Sequence, residues 1–88
     1  MPVVKFFAGL RTATGTKETT LSAGSLRAVL DGLVAAYPSL REKLWDGSAL
    51  RPHVVITING HNLDPDLGPD IPVKPDDQIA IFPPIAGG

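Results

Sequence analysis

The sequence contains no cysteine among its 88 residues. Disulfide bonds and cysteine-ligated zinc are therefore excluded, and so is a thiol nucleophile within the chain. Only 19% of the residues are charged and 6% are aromatic, and no apolar run approaches the roughly 18 residues that span a bilayer. No basic segment followed by an apolar one opens the sequence, so no secretory signal is expected. These absences favour a cytoplasmic protein without a membrane partner.

Hydrophobic residues, by contrast, make up 43% of the chain, which suits a packed domain and argues against disorder. A chain of 88 residues has the size of one small domain. Its net charge of −1 argues against nucleic acid as a partner, because nucleic-acid binding usually calls for a basic surface. The nine glycines and nine prolines indicate many turns and several abrupt element ends.

Two strand-like segments open the chain. Residues 3–10 are β-branched and aromatic, which predicts a strand. Alternation directs three of its side chains inward: Val4, Phe6 and Ala8. Phe7 points outward by the same alternation. A polar turn is expected over 11–16, and a threonine-rich second strand over 17–21 would complete a hairpin.

The central part of the chain has helical spacing, with Ser25 as the predicted N-cap. Apolar residues then recur along one helix face: Leu26, Val29, Leu30, Leu33, Val34 and Tyr37. Pro38 ends this helix, because the residue before a proline avoids helical backbone angles. Two leucines four residues apart predict a second, short helix over 39–45, with Trp45 as a packing cover.

The last third of the chain predicts strands separated by turns. Residues 54–58 form the clearest strand signal, and the Asn-Gly pair at 59–60 predicts a hairpin turn into a short return strand. Residues 78–82 predict a final strand, in which alternation leaves Phe82 pointing outward.

This order of elements fits an α+β fold with a mixed four- to five-stranded sheet and one main helix packed on one face. A right-handed crossover would place the first and last strands side by side and parallel at the sheet centre. That is the β-grasp, or ubiquitin-like, topology. We expect it over residues 1–82, with 83–88 as a flexible tail.

The tail combines two prolines with a closing Gly-Gly pair. Its six residues, 83–88, can reach roughly 20 Å when extended, at about 3.3–3.6 Å each. That is long enough to enter the active site of a partner, and glycine is thin enough for a narrow channel. Gly88 would offer a carboxylate that no Cβ shields from attack. A working tail is preferred to a frayed terminus because the glycines follow a β-grasp pattern.

Three segments resemble the MoaD/ThiS group of ubiquitin-like sulfur carriers, and most of all its MoaD branch, the small subunits of molybdopterin synthase. They are residues 4–11, the central helix, and residues 76–88, so the resemblance covers nearly the whole chain. The proline-rich stretch 62–75 carries no part of it.

The resemblance implies a cycle of sulfur transfer in which the chain itself is not an enzyme and binds no cofactor. An adenylyltransferase of the MoeB/ThiF type would use ATP and magnesium to adenylate Gly88. A sulfur donor enzyme would then replace AMP and leave a thiocarboxylate. In a molybdopterin synthase the tail would enter a large subunit of the MoaE type and give sulfur to a pterin precursor. The tail residues implied are Ile85, Ala86, Gly87 and Gly88.

Two aromatic residues are candidates for contact with these partners. Phe7 and Phe82 are expected on the outward face of neighbouring strands, where they would form an apolar patch beside the tail. By resemblance, this sheet face binds the partner proteins. Arg11 matches an arginine of the family and could pair with a partner carboxylate, although an exposed arginine is by default only a solvated charge. Burial of the aromatic pair by a loop is the alternative.

Other functions remain open for the same tail. It could serve thiamine (thiazole), cysteine or tRNA thiolation instead of the pterin. A ubiquitin-like modifier joined to lysines through Gly88 would use the same adenylation. A β-grasp interaction module with an inert tail would need no adenylation.

No metal, phosphate or catalytic-triad motif stands out. His53 and His61 lie at opposite ends of one predicted strand, too far apart to share a metal. The aspartates of 64–70 lack the ligand spacing of a calcium loop, and we expect a surface loop there. Ser25 and Ser39 have no histidine and acid partners in the sequence and are expected to be helix caps.

Overall fold

The computed structural model describes residues 1–47, 49–51, 54–63 and 68–82. The elements in chain order are β1 (Val3–Phe6), α1 (Gly9–Thr14), β2 (Glu18–Thr20), α2 (Leu26–Ala36), α3 (Leu40–Leu44), β3 (Trp45–Asp46), β4 (Ala49–Leu50), β5 (Val55–Ile58), β6 (His61–Asn62) and β7 (Gln78–Phe82). The predicted tail, 83–88, lies outside the described residues.

Five of these strands form one mixed sheet in the order β2-β1-β7-β5-β6. β1 and β7 run parallel, with Val4 opposite Ile79 and Phe6 opposite Ile81. β2 pairs antiparallel with β1, and β5 pairs antiparallel with β7. The first and last strands therefore lie together at the sheet centre, which confirms the β-grasp topology predicted from the order of elements. The short β3–β4 hairpin forms a separate sheet that was not predicted.

The core lies between one face of the sheet and the helices. It contains Val4, Phe6, Leu10, Leu26, Val29, Leu30, Leu33, Leu40, Leu44, Ile56, Val73, Ile79 and Ile81. In the strands these are alternate residues, and in α2 they follow the apolar face that the helical spacing predicts. No helix among the described residues is long and apolar enough to cross a bilayer.

The start of α2 is capped by a side chain and by a distant loop. The Ser25 hydroxyl accepts a hydrogen bond from the backbone N–H of Ala28 at 3.1 Å, which confirms the predicted N-cap. The first free N–H groups of the helix are met by residues 69–71. The N–H of Leu26 donates to the Ile71 carbonyl at 2.9 Å, and that of Arg27 donates to the Pro69 carbonyl at 2.8 Å. Carbonyl groups of the proline-rich stretch thus accept hydrogen bonds from the N–H groups at the start of α2, which have no partner within the helix.

The prediction for the end of the first strand is wrong. β1 stops at Phe6, and α1 occupies most of the segment expected to be a polar turn. Ala8 is exposed instead of buried, and its backbone (φ 52°, ψ −129°) reverses the chain between strand and helix. Alternation fails because the chain leaves the sheet after Phe6, and Leu10 enters the core from α1 instead.

A small polar network joins two turns at the end of the sheet where β7 begins. Asn59 and Gly60 both have positive φ (53° and 84°), as the predicted Asn-Gly hairpin turn requires. The Asn59 amide donates to Oδ1 of Asp77 at 2.8 Å and accepts the Gln78 N–H at 2.9 Å. Oδ2 of Asp77 accepts the Lys74 N–H at 2.8 Å. The Lys74 N–H first, and the Asn59 amide second, hold the pKa of Asp77 below its usual value.

Because this network includes an ionised carboxylate, the thermal stability of the protein should depend on pH. In Asp77→Asn, one carboxylate oxygen becomes an amino group facing a donor, so we expect Tm to fall by about 5 °C at pH 7. Because folding lowers the Asp77 pKa from 3.8, its contribution is complete above that value and is lost as the pH falls through the lower folded value. The Tm gap between wild type and variant should therefore narrow below about pH 4.

Thermal unfolding of both proteins across this pH range measures the gap. Asp76→Asn, at the exposed neighbouring carboxylate, is the matched control and should follow wild type throughout. A gap of constant size down to the lowest pH would contradict the role given to the Asp77 carboxylate.

Candidate functional site

An aromatic pair lies on the sheet face opposite the core. Phe82 is the last residue of β7, and Phe7 directly follows β1. Because Phe6 lies opposite Ile81 in the parallel ladder, the next residue of each strand comes side by side. The two rings stack with their centroids 4.5 Å apart and their planes 14° from parallel. Phe6 and Ile81 are buried and the aromatic pair is only half-buried, as alternation predicted.

Arg11 extends this pair to three side chains. It lies in α1, and its Cζ atom is 5.2 Å from the centroid of the Phe7 ring. Its Nε donates a hydrogen bond to the Phe6 carbonyl at 2.8 Å. We call Arg11, Phe7 and Phe82 the aromatic stack. The three residues that the sequence singled out for docking therefore lie in contact, although the expected turn around Arg11 is a helix.

Val55 is a neighbour of the stack that sequence reasoning did not single out. It lies opposite Phe82 in the β5–β7 ladder, and 44% of its surface is exposed. Strand alternation could have identified Val55, because it precedes buried Ile56 in the clearest predicted strand and must point to the opposite face. Val55 extends the apolar surface from β7 onto β5.

The centre of the same face is less apolar. Lys5, Ala80 and Thr57 lie opposite one another across three strands. Small and polar side chains there leave the aromatic rings as the largest apolar feature that the described residues form on this face. The apolar surface is therefore concentrated at the end of the sheet where β7 finishes.

The position of the stack connects it to the tail. Phe82 is covalently joined to residue 83, so the stack adjoins the point where the tail begins. Ile85, Ala86, Gly87 and Gly88 lie outside the described residues, and their roles stay predictions. The stack offers two rings and one cation, which is the chemistry of a docking surface.

The remaining sequence candidates do not gather into a second site. Within the described part of the chain, no group of three or more His, Asp or Glu side chains could hold a metal ion. His61 is exposed on β6, and His53 lies outside the described residues. Ser39 occupies the predicted N-cap position of α3, but its hydroxyl makes no capping hydrogen bond and donates instead to the Ala13 carbonyl at 3.3 Å.

A shallow cleft of about 600 Å³ lies on the helical side, against Val34, Pro38 and Trp45. Trp45 packs against the core as predicted, with the Arg27 guanidinium 5.8 Å from its ring centroid. Arg27 also binds both carboxylate oxygens of Asp70, at 2.5 and 3.2 Å. These hydrogen bonds hold the pKa of Asp70 below and that of Arg27 above their usual values. The pair ties α2 to the loop after β6, which is a structural role.

Comparison with known proteins finds similarity over nearly the whole chain. A family model described as the ThiS family matches residues 4–88, which include the proline-rich stretch and the tail. Small archaeal modifier protein 3 of Haloferax volcanii is 30% identical over 88 residues, covering 97% of this chain and 96% of that protein.

Two solved structures show the same similarity in three dimensions. Small archaeal modifier protein 1 of Methanosarcina acetivorans has a TM-score of 0.87 and 35% identity, covering 99% of this chain and 95% of that one. A putative molybdopterin converting factor subunit 1 from Pyrococcus furiosus has a TM-score of 0.72 and 25% identity, covering 96% and 97%.

Proposed function

Since the chain belongs to the ThiS family of small ubiquitin-like sulfur carriers and modifiers, we propose that it carries sulfur on the carboxylate of Gly88. An adenylyltransferase of the MoeB/ThiF type would join this carboxylate to the AMP part of ATP, with magnesium, and release pyrophosphate. Hydrosulfide supplied by a sulfur donor enzyme would then attack the carbonyl carbon. The bond to AMP breaks as the carbon–sulfur bond forms, which leaves a thiocarboxylate. Because the cycle consumes ATP, the proposal places it in the cytoplasm.

The observation that carries this proposal is the aromatic stack at the start of the tail. An enzyme that acts on Gly88 must hold the small domain at a fixed distance while the tail enters its active site. Aromatic and arginine side chains are the residue types that most often dominate binding energy at protein interfaces. Half-buried Phe7 and Phe82, together with Arg11, provide such an anchor within one residue of the tail.

The recipient of the sulfur is proposed to be a pterin precursor, bound by a molybdopterin synthase large subunit of the MoaE type. The resemblance of residues 4–11 and 76–88 to the MoaD branch supports this, and so does the similarity to the Pyrococcus furiosus protein. Thiamine, cysteine or tRNA thiolation would use the same activated tail.

Intact-mass spectrometry tests the carrier function. The chain is incubated with the MoeB/ThiF-type enzyme from its own organism, ATP, magnesium and sulfide. We expect a product in which one oxygen is exchanged for sulfur, located at Gly88 by fragmentation. Omitting ATP is the control and should leave the mass unchanged. Formation of the acyl-adenylate with no exchange of oxygen for sulfur would contradict the proposal.

A modifier function is the second candidate, and the similarity to two archaeal modifier proteins favours it. In that case a lysine amine, instead of hydrosulfide, would displace AMP and form an isopeptide bond with Gly88. Expression of a tagged chain in its own organism distinguishes the two. Higher-mass conjugates that disappear when Gly88 is deleted would identify a modifier, and their absence together with a thiocarboxylate would identify a carrier only.

A further inference from the structure

We infer that Arg11 is a positioning residue, which holds the Phe7 ring against Phe82 and so prepares the aromatic stack for its partner. The inference deepens the proposed function, since it rests on the stack being the docking surface. It also replaces the expectation that Arg11 meets a partner carboxylate. The contribution of Arg11 to partner affinity then comes from geometry, and its charge matters little.

Two contacts of the Arg11 guanidinium carry this inference. Its Nε donates to the Phe6 carbonyl at 2.8 Å, and its Cζ lies over the neighbouring Phe7 ring, 5.2 Å from the centroid. The group is thus fixed to the backbone immediately before the ring that it covers. An arginine that served only as a solvated charge would need neither contact.

The backbone explains why Phe7 needs such a hold. The β1–β7 ladder ends with Phe6 opposite Ile81, so Phe7 lies just beyond the last paired residue of β1. Ala8 then turns the chain with φ 52° and ψ −129°, a conformation that residues other than glycine rarely adopt. The Leu10 N–H donates to the Phe7 carbonyl at 3.1 Å and closes this turn. The reversal is what returns Arg11 over the ring four residues behind it.

For partner affinity, the position in which Arg11 holds the Phe7 ring should matter more than the charge of Arg11. Ordering a mobile side chain on binding costs conformational entropy. A ring that is already held in place in the free protein loses less entropy when the partner binds. Arginine can do this because its planar group bonds through one edge and stacks through its face. A lysine ammonium is a single centre and cannot reach the Phe6 carbonyl and cover the Phe7 ring in the same way.

Binding to the MoeB/ThiF-type enzyme is measured for Arg11→Lys and Arg11→Ala at low and high salt. We expect both variants to bind about three- to tenfold more weakly than wild type, with a loss that salt does not change. Arg41→Ala is the matched control, because Arg41 is an exposed arginine on α3, on the other side of the sheet. Wild-type affinity for Arg11→Lys, with a loss for Arg11→Ala that shrinks in salt, would overturn the inference.

A second readout needs no partner. Stacked rings shift each other's proton resonances, so the NMR signals of the Phe7 and Phe82 rings should move in both Arg11 variants and stay in place in Arg41→Ala. Unmoved ring signals in Arg11→Ala would overturn the inference even if binding weakens. Failure of the wild-type chain to bind the activating enzyme would instead contradict the proposed function, and the ring signals would still decide whether Arg11 holds Phe7.

Discussion

Deletion of Gly88 is expected to slow adenylation by about 100-fold or more, although Gly87 would then end the chain with an equally unshielded carboxylate. One extended residue spans about 3.3–3.6 Å, so the deletion withdraws the reacting group by that distance. Reacting atoms must approach to about 3–3.5 Å, and a displacement of about 1 Å already costs about 100-fold in rate. The domain cannot advance to compensate, because its proposed anchor at Phe7 and Phe82 holds it in place.

ATP–pyrophosphate exchange with the MoeB/ThiF-type enzyme measures this effect. Gly88→Ala is the matched control, since it keeps the length of the tail and adds one methyl group beside the carboxylate. It should lose less activity than the deletion. Both variants should unfold at the wild-type Tm, because Ile81 is the last core residue in the described part of the chain. A deletion variant that stays within about threefold of the wild-type rate would contradict a tail matched in length to its partner.

Replacing Phe82 with alanine is expected to weaken binding to the same enzyme by about 30-fold, which corresponds to about 2 kcal/mol. Phe7→Ala should have a similar effect. The double variant should lose less than the product of the two, because each single substitution already removes the 4.5 Å ring stack. The expected coupling between the two rings is about 0.5–1.5 kcal/mol.

Titration calorimetry on the four proteins of this cycle measures the coupling. Val3→Ala is the control, since Val3 lies on the same sheet face at the other end of β1 and should leave affinity unchanged. Phe82→Leu keeps an apolar residue in the central strand and separates loss of the ring from loss of stability. Independent, additive effects of Phe7 and Phe82 would show that the rings do not act as one surface.

Much of the fold follows from local pattern. The Ser25 cap, the apolar face of α2, the Asn59-Gly60 turn and the parity of β7 each depend on residues close together in the chain. These local rules were enough to predict the β-grasp order of strands, because few arrangements of such elements bury all the apolar faces.

The candidate site could be predicted only in part. Strand alternation correctly predicted that Phe7 and Phe82 point outward side by side, since the parallel β1–β7 pairing fixes which residues are neighbours. The same alternation placed Ala8 inward, and this was wrong because the chain had already left the sheet. Periodicity describes a strand but does not reveal where the strand ends when the next residues are equally apolar.

The sequence by itself determined the absence of thiol chemistry, the single-domain size, the order of the main helix and the five strands of the large sheet, and the Gly-Gly ending at Gly88. Tertiary structure alone decided the contact of Arg11 with Phe7, the bond between Asn59 and Asp77, and the pairing of Arg27 with Asp70. The physical reason is one of range. Propensity and periodicity act over a few residues, whereas these contacts depend on a backbone reversal or join residues that are brought together only when the sheet and helix pack.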